Sequence, residues 1–157
     1  MYWLAVFLGG GLGACARLAI IRFFEVRGTE DIELTQSHSK IPLSSTDVDS
    51  ALSGSWAESA ELAFTKATLI SNGVGSLLIG VLFAWLMSAK GLSEGWRVFA
   101  MVGFCGSLTT FSTFSLETLQ LFLDGKIAMG LIYMILQCVL NVAAASIGFF
   151  LLARLIA

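Results

Sequence analysis

The chain has 157 residues, of which 57% are hydrophobic and 13% charged, and its mean hydropathy is +0.86. A soluble domain carries about 25% charged residues, so a water-soluble enzyme is excluded: this much apolar surface cannot be hidden from water. One proline, no glycine period and a net charge of −2 without a basic run also exclude disordered, collagen-like and nucleic-acid-binding chains. The composition is that of an integral membrane protein.

Charge-free runs set the organisation. Residues 2–16 carry no charge, and the run extends to Phe24 if Arg17 and Arg22 sit at its end; residues 67–89, 98–116 and 127–153 are also uncharged. A spanning helix needs about 20 apolar residues, so the sequence predicts an all-α chain with four spans, about 2–24, 66–89, 97–122 and 127–154. An even number of spans places both termini on one side.

Between the first two spans the composition changes. Residues 25–64 hold eight of the eleven acids, eight serines, the only histidine (His38) and the only proline (Pro42). This reads as a solvated loop, mobile around 28–45. Its second half has a helical signal, because Val48, Leu52, Trp56, Ala60 and Phe64 recur every four residues after a possible N-cap at Thr46. His38 has no Cys or His companion and reads as a loop residue rather than a metal ligand. Cys15, Cys105 and Cys138 all lie in apolar stretches and read as small buried hydrophobes rather than disulfide partners. Leu12-Gly13-Ala14-Cys15 faintly resembles a lipoprotein cleavage box, but no basic residue precedes Arg17, as a secretory signal requires.

Loop cations set topology. Lys90, Arg97 and Arg154 fall on one side, and Arg22, Arg27, Lys40, Lys66 and Lys126 on the other. That bias is weak, so the chain is expected to insert in both orientations.

Small residues recur four apart within the spans: the Gly9–Gly13 cluster, Ser71 with Gly75, Ser76 with Gly80, and Ala144 with Gly148. Such spacing lets membrane helices approach closely. Polar residues at membrane depth are costly unless they face protein or water. Asn72 is one; Tyr133, Gln137 and Asn141 form another set, a stripe about 12 Å long on one helical face, open to interhelical bonding or pathway lining. In the third span, Gly103-Phe104-Cys105-Gly106-Ser107-Leu108 leads into Thr109-Thr110-Phe111-Ser112-Thr113-Phe114-Ser115. Five hydroxyls after two glycines make a poor uninterrupted helix, and hydroxyls can satisfy backbone groups freed by a break. Broken helices within membranes commonly bind ions.

Three boxes now carry a resemblance: Gly9-Gly10-x-x-Gly13-Ala14-x-x-Arg17, Thr68-Leu69-x-x-Asn72-x-x-Gly75-Ser76, and Gly103-Phe104-x-Gly106-x-x-Thr109-Thr110-Phe111-Ser112-Thr113-Phe114-Ser115-x-Glu117. Together they resemble the Fluc (CrcB) family of fluoride channels. The resemblance implies a passive, fluoride-selective channel in the bacterial inner (plasma) membrane that exports cytoplasmic fluoride, and no enzyme. It implies an antiparallel, dual-topology homodimer in membrane lipid, with the third helix broken mid-membrane. By similarity, Asn72, Phe111, Phe114 and Tyr133 line the fluoride pathway with Ser112 and Thr113, while Arg17 and Glu117 lie at the vestibule. The backbone carbonyls of Gly106 and Thr109 are implied ligands of a structural Na⁺ at the dimer interface. Three features depart from the family pattern: Ser107 stands where a glycine is usual, Gln137 and Asn141 replace small hydroxyl residues, and the 25–64 segment is unusually long.

Two rivals remain. A small multidrug-type proton-coupled antiporter also has four spans but needs a carboxylate in its first, and residues 1–24 contain none. A non-transporting membrane scaffold would explain the glycines but not the third-span motif or Asn72.

Overall fold

The computed structural model describes residues 2–36, 45–88 and 93–156, with side chains for 2–24, 65–88 and 93–156. Among the described residues it is entirely helical. Helix α1 runs Tyr2–Gln36 and α2 Ser45–Ser88. A short α3 (Glu94–Arg97) leads directly into a π-helical segment, Val98–Cys105, followed by one turn, α4 (Gly106–Leu108). Helix α5 (Phe111–Leu123) and the long α6 (Ile127–Ile156) complete the chain. Four stretches are long and apolar enough to cross a membrane: Tyr2–Phe24, Thr65–Ser88, Glu94–Leu123 and Ile127–Ile156.

Two features differ from the sequence reading. The backbone is helical over 25–36, where a solvated loop was expected, whereas helix from Ser45 begins next to the possible N-cap at Thr46. A helix already nucleated inside an apolar span adds one hydrogen bond per further residue at little cost, so polar composition alone does not end it. The segment 37–44, with His38, Lys40 and Pro42, lies outside the described residues, as does Lys90; of Trp56 and Phe64 only the backbone is described. The second difference concerns cysteine. Cys105 is buried, but Cys15 and Cys138 lie on the outer surface of the chain, where an apolar side chain is cheap only because lipid or protein surrounds it.

Lipid tails are as apolar as leucine, so close packing rather than hydrophobic exclusion must hold such helices together. The glycines show how. Helix α2 packs mainly on α6, and α1 on the third span. A Cβ at Gly80 would strike the Ala145 carbonyl on α6, and one at Gly148 would strike the Leu77 carbonyl on α2. Likewise Gly9 and Gly13 admit the Phe99 and Phe104 carbonyls of the π-helical segment. The outer faces carry large apolar side chains such as Phe7, Phe150 and Leu155, all well exposed on the single chain.

The turn from α5 to α6 follows from Asp124-Gly125-Lys126. Gly125 adopts a left-handed φ of 75°, its N–H donates to the Phe122 carbonyl at 3.1 Å, and the Lys126 N–H donates to Leu121 at 2.9 Å. This is a Schellman closure, which needs a residue without Cβ at the left-handed position. It returns α6 beside α5 and so brings Tyr133 and Gln137 to the site.

Candidate functional site

The third span is interrupted at two residues. Thr109 (φ −84°, ψ 152°) and Thr110 (φ −146°, ψ 119°) are extended, and helix resumes at Phe111. An extended pair inside an apolar span frees backbone groups that must find partners. Asn72, four residues after Thr68 on α2, supplies two of them. Its Oδ1 accepts the Thr110 N–H at 2.7 Å, and its Nδ2 donates to the Thr110 carbonyl at 3.1 Å. The Thr110 hydroxyl then caps α5 by accepting the Thr113 N–H at 3.2 Å, and lies 3.0 Å from the Thr113 and 3.2 Å from the Ser112 hydroxyl.

These bonds have a consequence for two carbonyls. In a continuous helix the Thr110 N–H would close on Gly106 and the Thr113 N–H on Thr109. Both donors are taken elsewhere, so the Gly106 and Thr109 carbonyls lose their helical partners. Gly106 also lies open, with only the Met101 carbonyl within 4 Å of a would-be Cβ, at 3.8 Å. Unpaired carbonyl oxygens of this kind suit a hard cation such as Na⁺.

Beside the interruption lies a cavity of about 300 Å³. Its walls include Asn72, Gly106, Thr109, Phe111 and Phe114, five residues singled out in the sequence, together with Gln137 and Asn141. Asn72 and Phe114 are buried, whereas Phe111 is 78% exposed on the single chain. The Phe111 and Phe114 rings sit 5.5 Å apart at 60°, and Phe114 and Tyr133 are 5.4 Å apart at 58°. Tilted rings of this sort present edges as well as faces, and edges carry the positive part of the aromatic quadrupole.

Tyr133, Ser112 and Thr113 are outside the cavity wall. Ser112 and Thr113 belong to the cap just described. Tyr133 instead donates to Glu117 Oε2 at 2.6 Å, while Thr68 donates to Glu117 Oε1 at 2.6 Å. Glu117 is buried, so its neighbourhood is this hydroxyl pair within the helices rather than Arg17, with which the sequence reading grouped it at a vestibule. Arg17 is half-exposed on α1 and does not line the cavity.

Two residues of this network carry more than the sequence reading gave them. Thr110 is the point where Asn72 holds the interruption, and Thr68 secures Glu117. The signal for Thr68 was available, since Thr68 and Asn72 share one face of α2 at i, i+4. Nothing local marked Thr110 above the other hydroxyls of its run.

The fold and site define a polytopic membrane protein built around an interrupted third span with a largely apolar cavity beside it that a few polar side chains line. A family profile described as "CrcB-like protein, Camphor Resistance (CrcB)" matches residues 4–149. Three relatives carry the name "Fluoride-specific ion channel FluC". That of Saccharophagus degradans is 32% identical over 98% of this chain and 91% of its own length. That of Psychrobacter cryohalolentis is 34% identical over 96% and 95%, and that of Escherichia coli K12 is 32% identical over 94% and 91%. The chain belongs to the CrcB family.

Proposed function

We propose that this protein is a passive fluoride-selective channel that lets cytoplasmic fluoride leave a bacterial cell across the inner membrane, and that it works as an antiparallel, dual-topology homodimer. The observation that carries the reading is the Asn72–Thr110 clamp, which holds a helix interruption beside a ring-edged cavity in a chain whose relatives are named fluoride channels.

Fluoride holds water tightly, so a pathway must replace hydration without binding the ion too firmly to release it. Asn72 spends one N–H on Thr110 and has a second to offer. Phe111 and Phe114 add ring edges, whose attraction for an anion is weak enough to suit conduction. Ser112 and Thr113 carry hydroxyls in the cap around Thr110, which itself lines the cavity, and Tyr133 packs against Phe114. Arg17, within the first span and half-exposed, would draw anions toward the protein. No energy source is required: an inside-negative potential favours exit of a monovalent anion by roughly 2.3 kcal/mol per 100 mV.

The donor set of Gly106 and Thr109 fits a structural Na⁺ where two subunits meet, because both carbonyls lack helical partners and Gly106 opens outward. When bound there, the cation would neutralise the dipoles of these two carbonyls. The weak cation bias of the loops supports dual topology.

The test is fluoride efflux from liposomes holding the purified protein, read with a fluoride electrode. Fluoride-selective efflux with chloride retained supports the reading. No efflux from folded protein would refute it.

A further inference from the structure

Helix α2 ends at Ser88, and the third span begins at Glu94. Trp85 lies three residues before that end and Trp96 two residues past that start, so both indoles fall near one edge of the membrane. They are 45% and 60% exposed on the single chain, and neither indole N–H has a partner among the described residues. Tryptophan collects at this depth because its ring is apolar while its N–H seeks the headgroup region. A T-shaped contact with Phe99, centroids 5.3 Å apart, orients the Trp96 ring.

The two tryptophans border a second cavity, of about 60 Å³. Leu82 and Leu86 wall it on the α2 side, Ala100 and Met101 on the side of the third span, and Arg97 also lines it. Leu82 is six residues before the end of α2, or about 9 Å along a helix, so the cavity reaches from the membrane edge into the hydrocarbon. Its wall is apolar. Water needs polar partners to occupy such a space, whereas a methylene chain needs none.

Charge at this edge has one sign. Lys90, Arg97 and Arg154 fall on this side against a single acidic side chain, Glu94. Glu94 stands one turn before Arg97, but it accepts a hydrogen bond of 2.6 Å from Tyr2 on α1. Arg97 is exposed and has no ion pair among the described residues. An arginine can lay its stem along apolar surface and hold its head at the interface. Its planar fork of N–H donors matches a phosphate, and basic pockets between spanning helices take anionic headgroups.

We propose that this corner binds one anionic phospholipid, with its phosphate on the Arg97 guanidinium and an acyl chain laid into the cavity between α2 and the third span. The inference goes beyond the channel reading and does not depend on it, since this cavity shares no residue with the one beside the interruption. The rival occupant is the acid-rich 25–64 segment of a second, antiparallel copy. Two unpartnered indoles at headgroup depth favour the lipid.

The experiment is native mass spectrometry of the full-length protein incubated with phosphatidylglycerol or phosphatidylcholine of the same acyl chains. Wild type should hold one phosphatidylglycerol per chain about fivefold more tightly than phosphatidylcholine, the scale of one basic residue near an anionic headgroup. Arg97→Gln should cut that preference to within about twofold and leave phosphatidylcholine retention unchanged. Ala100→Phe, which fills the cavity, should lower retention of both lipids. Equal retention of the two lipids by wild type would overturn the proposal, as would a preference that survives Arg97→Gln or full retention in Ala100→Phe. Displacement of the lipid by inorganic phosphate would overturn it by showing that the site takes the free anion. Loss of the native oligomer in folded Arg97→Gln would overturn it by assigning the corner to a second copy. If Ala100→Phe does not fold, Leu86→Phe fills the same cavity from α2 and is judged by the same reading.

Discussion

Asn72→Leu tests whether the side chain acts first as a clamp. The substitution removes both bonds to Thr110, at 2.7 and 3.1 Å, and offers no replacement. Two terms compete in setting the magnitude. A side-chain hydrogen bond between membrane helices averages roughly 0.6 kcal/mol, because the separated helices find other partners. A buried backbone group left without any partner costs about 1–3 kcal/mol. Thr110 is buried and is the N-cap of α5, so its carbonyl still has the first bond of that helix to accept, but its N–H has no helical bond to fall back on. The second term dominates, and the expected loss is about 1–3 kcal/mol for the orphaned N–H. The assay is reversible unfolding by SDS in mixed micelles, followed by near-UV circular dichroism. A loss below about 0.5 kcal/mol, the scale of an exposed substitution, would show that the interruption stands without Asn72. Asn72→Asp supplies the functional arm: an ionised carboxylate donates no hydrogen bond and repels an anion, so fluoride efflux should stop in whatever protein folds.

Further outcomes follow from the same geometry. Phe111→Ile and Phe114→Ile should each abolish most fluoride efflux by removing the ring quadrupole, but only Phe114, buried between Phe111 and Tyr133, should also cost stability, about 1–3 kcal/mol for a reshaped site; normal efflux in both would remove the rings from the pathway. Gly148→Val should separate α6 from the Leu77 carbonyl it now touches and lower stability by about 1–3 kcal/mol or more, while Gly73→Val, with open space around it, should pack normally; equal Tm values would contradict the close approach. Gly106→Val meets no backbone within its own chain short of 3.8 Å, so the monomer should fold, and efflux should fail through the subunit contact; a dimer of ordinary stability with full efflux would place that contact elsewhere.

Much of this arrangement was legible in the sequence because it depends on short-range patterns. Charge-free runs mark the spans, and small residues four apart, Ser76 with Gly80 and Ala144 with Gly148, mark where α2 meets α6. A hydroxyl-rich run after Gly106 marks the change of backbone at Thr109 and Thr110. The less legible parts depend on distance along the chain. Thr68 and Glu117 are 49 positions apart, and no local rule pairs them, so Glu117 was grouped with Arg17 instead. The π-helical segment has no residue signature either. An extra residue per turn is accommodated when a neighbour lets the backbone swing toward it, and the neighbour here is the glycine face of α1. Gln137 and Asn141 were visible as a polar stripe, but that the Gln137 amide and the Asn141 Oδ1 find no partner among the described residues is a property of packing alone.

The seating of α1 against the third span also bears on how the protein is made. Tyr2 at the start of α1 donates to Glu94 at 2.6 Å, across 92 positions of sequence, and Gly9 and Gly13 wait for carbonyls that follow Glu94. At the roughly 5–20 residues per second of synthesis, α1 spends about 5–20 s beside the ribosome before its partner exists. During that interval its glycine face is lined by lipid or by the insertion machinery. Helix α2 also waits, though for a shorter time, since Leu77 and the Gly148 it receives are 71 positions apart. Assembly of the bundle is therefore a late, largely post-insertional event, and a chain stalled after its second span would leave two helices in the bilayer whose closest-packing surfaces are still unfilled.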